Sequence, residues 1–118
     1  MHRALLSLIL LFAIAGCIHS GCVNEVREEL SSPDGKQKIV IFTRDCGATT
    51  GSNTQASLLG REEKLPDKEG NMFIIDKAEA KVSWKQADQI IVVLERGARV
   101  FKKESSVGGI TIEYRNEN

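Results

Sequence analysis

Histidine is scarce in this 118-residue chain and absent from its body. The two histidines, His2 and His19, both lie near the amino terminus. A Ser-His or Cys-His nucleophile pair therefore has no histidine to use in the rest of the chain, and a histidine-bearing zinc site is excluded there for the same reason. Aspartate and glutamate are scattered, and no spacing singles out a catalytic pair. We predict a protein that is not an enzyme and needs no metal or cofactor.

The chain also lacks an excess of charge of either sign. Sixteen Lys and Arg residues balance 16 Asp and Glu residues, and the two signs are interleaved along the sequence. Recognition of a nucleic-acid backbone requires a concentrated positive field, which this distribution does not provide. We therefore expect no nucleic-acid partner.

The apolar run at the start of the chain is too short to be a permanent membrane span. Residues 4–15 contain no charge and one hydroxyl, Ser7, whereas a spanning helix needs roughly 20 apolar residues. His2 and Arg3 precede the run, and small residues follow it. This order is typical of a secretory signal peptide.

The run ends in Ile14-Ala15-Gly16-Cys17, which resembles the bacterial lipobox. The resemblance implies that the Cys17 thiol receives a diacylglyceryl group, that residues 1–16 are removed, and that buried acyl chains anchor the protein. One alternative is an ordinary cleaved signal with a structural Cys17. A second candidate motif, His19-Ser20-Gly21-Cys22, places a polar residue where the lipobox has an aliphatic one.

The residue after the lipidated cysteine indicates the membrane to which the protein is sorted. In the enterobacterial sorting rule, a residue other than Asp at this position implies export to the outer membrane, and Ile18 stands here. We predict a lipid-anchored protein of the bacterial cell envelope, in the outer membrane and facing the periplasm. Its first partner is then the lipid bilayer, through acylated Cys17.

The chain has only three cysteines, and lipidation of Cys17 leaves Cys22 and Cys46 as an even pair in an oxidising compartment. A disulfide between them closes a loop of roughly 25 residues and stabilises the fold by about 3.5 kcal/mol in the chain-entropy model. We predict this bond; the alternative is two unpaired cysteines. If it forms, only residues 18–21 separate the anchor from the fold. Such a tether reaches about 15 Å, which holds the domain against the bilayer.

The remaining chain lacks a sustained helical period, whereas alternation of apolar and polar residues is frequent. We predict an all-β fold, a small antiparallel meander or sandwich of about seven short strands. The organisation is a helical signal peptide (1–16), the lipidated cysteine and a short tether (17–22), and a single β domain (23–118). Residues 39–42 are all apolar, which predicts a central strand covered on both faces. The charged residues 61–71 are predicted to form a solvated loop.

Two motifs resemble a family of small, uncharacterised bacterial lipoproteins. They are the turn Ser32-Pro33-Asp34-Gly35 and the segment Arg44-Asp45-Cys46-Gly47-Ala48-Thr49-Thr50-Gly51. The resemblance extends to Gly70-Asn71-Met72-Phe73 and to the segment around Trp84, so it covers most of the mature chain. It implies no activity, because none is known for the family.

The segment 44–50 is the candidate binding loop. Arg44 and Asp45 would engage a charged partner, and Thr49 and Thr50 would supply hydroxyls, because binding residues gather on loops of rigid scaffolds. The competing interpretation is structural: Cys46 staples the loop, the glycines permit its turns, and the polar side chains satisfy backbone groups. We expect Trp84 to pack in the core. Three cations are expected to face solvent: Arg99, Lys102 and Lys103.

Three functions remain open from the sequence. The leading one is a non-enzymatic envelope lipoprotein that binds or scaffolds another envelope component, which could be a protein. The alternative is a small-ligand binder or inhibitor that uses the loop from Arg44 to Thr50. The third is an enzyme that works through Asp45 and Arg44.

Overall fold

The computed structural model describes residues 21–47 and 51–118. The predicted signal peptide, Cys17 and Ile18 lie outside the described residues, as do Thr49 and Thr50. The described residues form nine strands and no helix. The strands are β1 (Val23–Ser31), β2 (Gln37–Asp45), β3 (Ser52–Gly60), β4 (Phe73–Asp76), β5 (Ala80–Gln86), β6 (Gln89–Leu94), β7 (Arg99–Lys103), β8 (Ser106–Val107) and β9 (Ile110–Asn116).

The strands form two sheets. Sheet A has the order β1-β2-β3-β4-β7, and every neighbouring pair in it is antiparallel. Sheet B has the order β5-β6-β9-β8, in which β6 and β9 run parallel and the other pairs are antiparallel. The edge strands of sheet A are therefore β1 and β7.

The core lies between the two sheets. Side chains on the inner face of β2, β3 and β4 pack against those of β6 and β9, following the two-residue alternation of a pleated strand. The largest fully buried members of this core are Phe73, Met72 and Ile39. Trp84 and Tyr114 are partly buried and pack against its margins. Burial of these apolar side chains supplies the main driving force for folding.

Two aromatic side chains join the sheets at opposite margins of the core. The Trp84 indole N–H on β5 donates a 3.0 Å hydrogen bond to the Leu30 carbonyl on β1. The Tyr114 hydroxyl on β9 lies 2.8 Å from the carbonyl oxygen of Glu104 and 3.2 Å from that of Met72. Burial, assisted by the Glu104 charge, raises the pKa of Tyr114 to about 12. Tyr114 therefore remains a protonated donor at neutral pH.

The turn Ser32-Pro33-Asp34-Gly35 connects β1 to β2. The Gly35 amide donates to the Ser32 carbonyl at 2.9 Å, and Gly35 adopts a φ of 71° that favours glycine. The buried Ser32 hydroxyl donates to the Asp34 carboxylate at 2.6 Å and accepts from the Gln37 amide at 3.0 Å. The turn is therefore fixed by side-chain hydrogen bonds in addition to its backbone.

The predicted all-β class is confirmed, with nine strands in place of about seven. The Ser-Pro-Asp-Gly hairpin forms as predicted, and Trp84 packs against the core as expected. The additional strand β8 has only two residues, too few for a periodic signal. The parallel pairing of β6 with β9 also departs from an antiparallel arrangement. Strand pattern alone does not specify which strands become neighbours.

The charge on Asp34 gives the turn a dependence on pH. The hydrogen bond from Ser32, followed by that from the Lys36 amide, lowers the pKa of Asp34 below its usual 3.8. The folded state therefore favours the carboxylate, and its stabilising effect is complete above pH 3.8 and lost as pH falls through the lowered value. We expect the melting temperature of the wild type to fall more steeply with acidification than that of Asp34→Asn. A constant difference between the two from about pH 5 to pH 2 would contradict this role.

Candidate functional site

A disulfide joins the residue before β1 to the residue after β2. The sulfurs of Cys22 and Cys46 are 2.06 Å apart, which confirms the predicted pairing. Val23 pairs with Asp45 in the β1–β2 ladder, so the cysteines occupy the next position of the same ladder. The bond therefore holds Cys22 at one end of sheet A.

All five strands of sheet A reach this end, which we call the disulfide end. The register places β1 and β3 starting here, β2 and β4 ending here, and β7 starting here. Cys46 and Gly47, which follow β2, and Gly51, which precedes β3, also lie at the disulfide end. The residues that mark it are Val23, Asp45, Ser52, Asp76 and Arg99.

The described part of the candidate loop is organised by Asp45. The exposed Asp45 carboxylate accepts a 3.0 Å hydrogen bond from the Gly47 amide, the geometry of an Asx turn. Gly47 and Gly51 have φ values of 123° and 67°, and the Gly51 amide lies 3.3 Å from the Gly47 carbonyl oxygen. Asp45 therefore shapes the start of the loop. Thr49 and Thr50 lie outside the described residues.

Arg44 does not project into solvent. Only 7% of its surface is exposed, and it lies on the outer face of sheet A, opposite the core. Its Nη1 donates to the Asn24 carboxamide oxygen at 2.8 Å and to the Asp67 carboxylate at 3.0 Å. The arginine that the sequence marks for a charged partner is thus bonded within the protein.

Asp67 belongs to a segment that crosses the outer face of sheet A, residues 61–71, which we call the strap. Beneath it, Val40, Phe42 and Leu59 form a second buried apolar cluster, and Leu65 of the strap packs on them. The prediction that the central strand is covered on both faces is therefore confirmed, with sheet B on one side and the strap on the other. The strap is exposed to solvent along most of its length, but its inner side is a structural cover.

Polar side chains fasten the carboxyl-terminal half of the strap. Buried Gln55 accepts a 2.7 Å hydrogen bond from the Gly70 amide, and the Ser57 hydroxyl accepts one of 3.1 Å from the Asn71 amide. The Asn71 side chain also bonds to both backbone groups of Leu58. A Cβ at position 70 would collide with the Ala56 carbonyl, so only glycine fits this close approach.

The amino-terminal half is fastened by Asn24. Its side-chain N–H₂ donates to the carbonyl oxygens of Pro66 and Lys68, both at 3.1 Å, while its oxygen accepts from Arg44. Asn24 therefore joins β1, β2 and the strap. Sequence reasoning missed this role, as it did for Asp67, Gln55 and Asn71. One signal was available: polar residues alternate with apolar ones along β3, and the neighbouring strand β2 is apolar on both faces.

The exposed apolar side chains lie elsewhere. Val23 and Val26 on β1 are 68% and 49% exposed, and they line a shallow groove with Leu65 and Pro66 beside the disulfide. On β7, Val100 and Phe101 are also exposed.

The three cations predicted to face solvent, Arg99, Lys102 and Lys103, all lie on β7. Arg99 stacks over the Phe101 ring at 5.0 Å from its centroid, and Lys103 lies 5.4 Å from that of Tyr114. Lys102, the third member, is half-buried.

Across residues 21–47 and 51–118, no group of three or more His, Cys, Asp or Glu side chains is placed to hold a metal ion. The same residues contain no helix with the length and apolar character needed to cross a membrane. Comparison with family models, with curated proteins and with solved structures returns no match to this chain. The resemblance to a lipoprotein family therefore stays a prediction.

The structural role of Arg44 is testable by substitution. Arg44→Ala removes one hydrogen bond to Asn24 on β1, one to Asp67 of the strap, and the buried apolar part of the side chain. We expect a loss of about 2 kcal/mol in the free energy of unfolding by urea. The matched control is Arg61→Ala. Arg61 is 73% exposed and pairs with exposed Glu62, so we expect a change below about 0.5 kcal/mol. An Arg44→Ala variant as stable as the wild type would argue for a binding role instead.

Proposed function

We propose that this protein is a membrane-anchored lipoprotein of the bacterial envelope, with a non-enzymatic binding or scaffolding role toward another envelope protein. One observation carries the proposal: Cys17, at the end of a lipobox-like motif, lies five positions before a cysteine that is bonded into the fold. Residues 18–21 are the only chain between an acylated Cys17 and Cys22. A tether of that length, about 15 Å when extended, holds the disulfide end toward the bilayer.

One groove, where β5 begins and β6 and β9 end, is acidic. Glu79, Glu95 and Glu117 line it, with Lys81 as the only cation among its lining residues. This groove has no attraction for anionic headgroups. In this proposal the attachment comes from the acyl chains, of which two or more give a durable anchor.

A ligand-binding role for the candidate loop receives less support. Arg44 is bonded to Asn24 and Asp67, and Asp45 bonds to the Gly47 amide. Arg44 is buried and cannot turn toward a ligand without breaking bonds that hold the strap, whereas Asp45 is exposed and its bond to Gly47 shapes the turn. The exposed apolar side chains of β1 and β7 are better placed for contact with a protein.

The anchor is tested by mass spectrometry of the protein purified from a bacterial host. We expect the loss of residues 1–16 and a mass increase on Cys17 that corresponds to a diacylglyceryl group, with a further acyl chain on the new amino terminus. The Cys17→Ala variant should keep its leader or be cut elsewhere, and should not carry lipid. Cys22 should be found in the disulfide with Cys46 in both proteins.

Fractionation provides the second readout. The wild type should stay with membranes through a wash at about 1 M salt, which screens charge interactions beyond roughly 3 Å, whereas Cys17→Ala should be released without salt. A mature protein with an unmodified Cys17 sulfur would refute the proposal.

A further inference from the structure

The large apolar side chains that are exposed in the described residues are confined to the two edge strands of sheet A. Val23 and Val26 lie on β1, and Val100 and Phe101 lie on β7. An edge strand presents unpaired backbone groups, and proteins usually protect such edges with charge, bulges or short length. Exposed apolar side chains on both edges of one sheet, and on no other described strand, therefore suggest contact surfaces.

The two edges carry opposite charges. Strand β1 contains one cation, Arg27, against the three acidic residues Glu25, Glu28 and Glu29. Strand β7 contains no acidic residue and has three cations, Arg99, Lys102 and Lys103. Contact between two β1 edges or two β7 edges would bring like charges together. Contact of β7 with β1 brings unlike charges together.

The edges also match in direction and height. Both strands run away from the disulfide end, because four antiparallel pairings separate them. Across the register of sheet A, Lys103 is level with Glu28, and Lys102 is level with Val26. Two copies with their disulfide ends toward one membrane therefore present Lys103 at the height of Glu28.

We propose that the β7 edge of one copy contacts the β1 edge of a second copy, side by side on the same membrane. Phe101 of the first copy then lies near Val26 of the second, and Lys103 near Glu28. Each copy keeps one β1 edge and one β7 edge, so the contact is heterologous and repeats into rows or closed rings.

The contact is made by side chains and not by a continuous backbone ladder. The β1–β2 register shifts between Val26 and Glu28, and the β4–β7 register shifts at Phe101. Such bulges interrupt pairing, and sheet twist of about 20–25° per strand makes the two edges cross at an angle. The interface is therefore small and weak in dilute solution. Confinement to a membrane raises the effective concentration, and this part rests on the proposed lipid anchor.

Charge reversal on each edge gives a direct test. Variant one carries Glu25→Lys and Glu28→Lys, which makes both of its edges basic. Variant two carries Arg99→Glu and Lys103→Glu, which makes both of its edges acidic. The full lipidated proteins, labelled with donor or acceptor dyes through a carboxyl-terminal tag, are reconstituted at equal density in phosphatidylcholine vesicles, and energy transfer between copies is measured.

The wild type should show transfer above the level of randomly placed molecules, and each variant alone should fall to that random level. A mixture of donor-labelled variant one with acceptor-labelled variant two should recover the wild-type transfer, because their edges are again opposite. The control matched to variant two, Lys64→Glu with Lys85→Glu, makes the same charge change on the strap and on β5 and should behave as the wild type. A mixture no better than either variant alone, or a control that also loses transfer, would overturn the proposal.

Vesicle flotation distinguishes failure of the edge contact from failure of the lipid anchor. If the protein does not float with vesicles, the same variants are compared by sedimentation velocity in solution at high concentration. Association of the mixture, without association of either variant, would support the edge contact and refute the anchor. Flotation of the wild type with energy transfer at the random level would support the anchor and refute the edge contact. Unchanged circular dichroism and melting temperature in each variant exclude unfolding as the cause.

Discussion

Burial of β2 and β3 on both faces is the constraint on which the rest of the structure depends. Ile39 and Ile41 face sheet B, whereas Val40 and Phe42 face the opposite side. A sheet with two apolar faces requires two covers, because each exposed face would cost about 25 cal/mol per Å² of apolar surface left in water. Sheet B supplies one cover and the strap supplies the other.

The second cover explains why Arg44 of the candidate binding loop is bonded within the protein. A segment as charged as the strap cannot hold its place by apolar packing through Leu65 alone, so polar side chains of the sheet fasten it. Arg44 is the one charged residue among the buried polar residues of the described chain, and its position on the outer face follows from the same alternation that places Phe42 there. The arginine therefore stabilises the fold, and the surfaces that we propose for a partner are the edges of sheet A.

Much of this architecture could be predicted from sequence, for local reasons. Alternation located the strands, the run at 39–42 indicated two-sided burial, and Ser32-Pro33-Asp34-Gly35 encoded its own turn. The disulfide followed from counting cysteines. The strap could not be predicted, because its bonds join Asn24, Gln55 and Asp67, which are far apart in the chain and chemically ordinary. The parallel pairing of β6 with β9 likewise depends on sheet packing and not on any local pattern.

Native-state hydrogen exchange at the strap shows directly whether sheet A needs its outer cover. The Gly70 and Asn71 amides donate to Gln55 and Ser57, so they should exchange only when the strap leaves the sheet. If the strap is a required cover, their protection factors should lie within about tenfold of those of the β3 amides, as expected for one cooperative unit. Exchange of both amides at the rate of an unstructured peptide, with β3 still protected, would contradict the account, because sheet A would then be stable with its outer face uncovered.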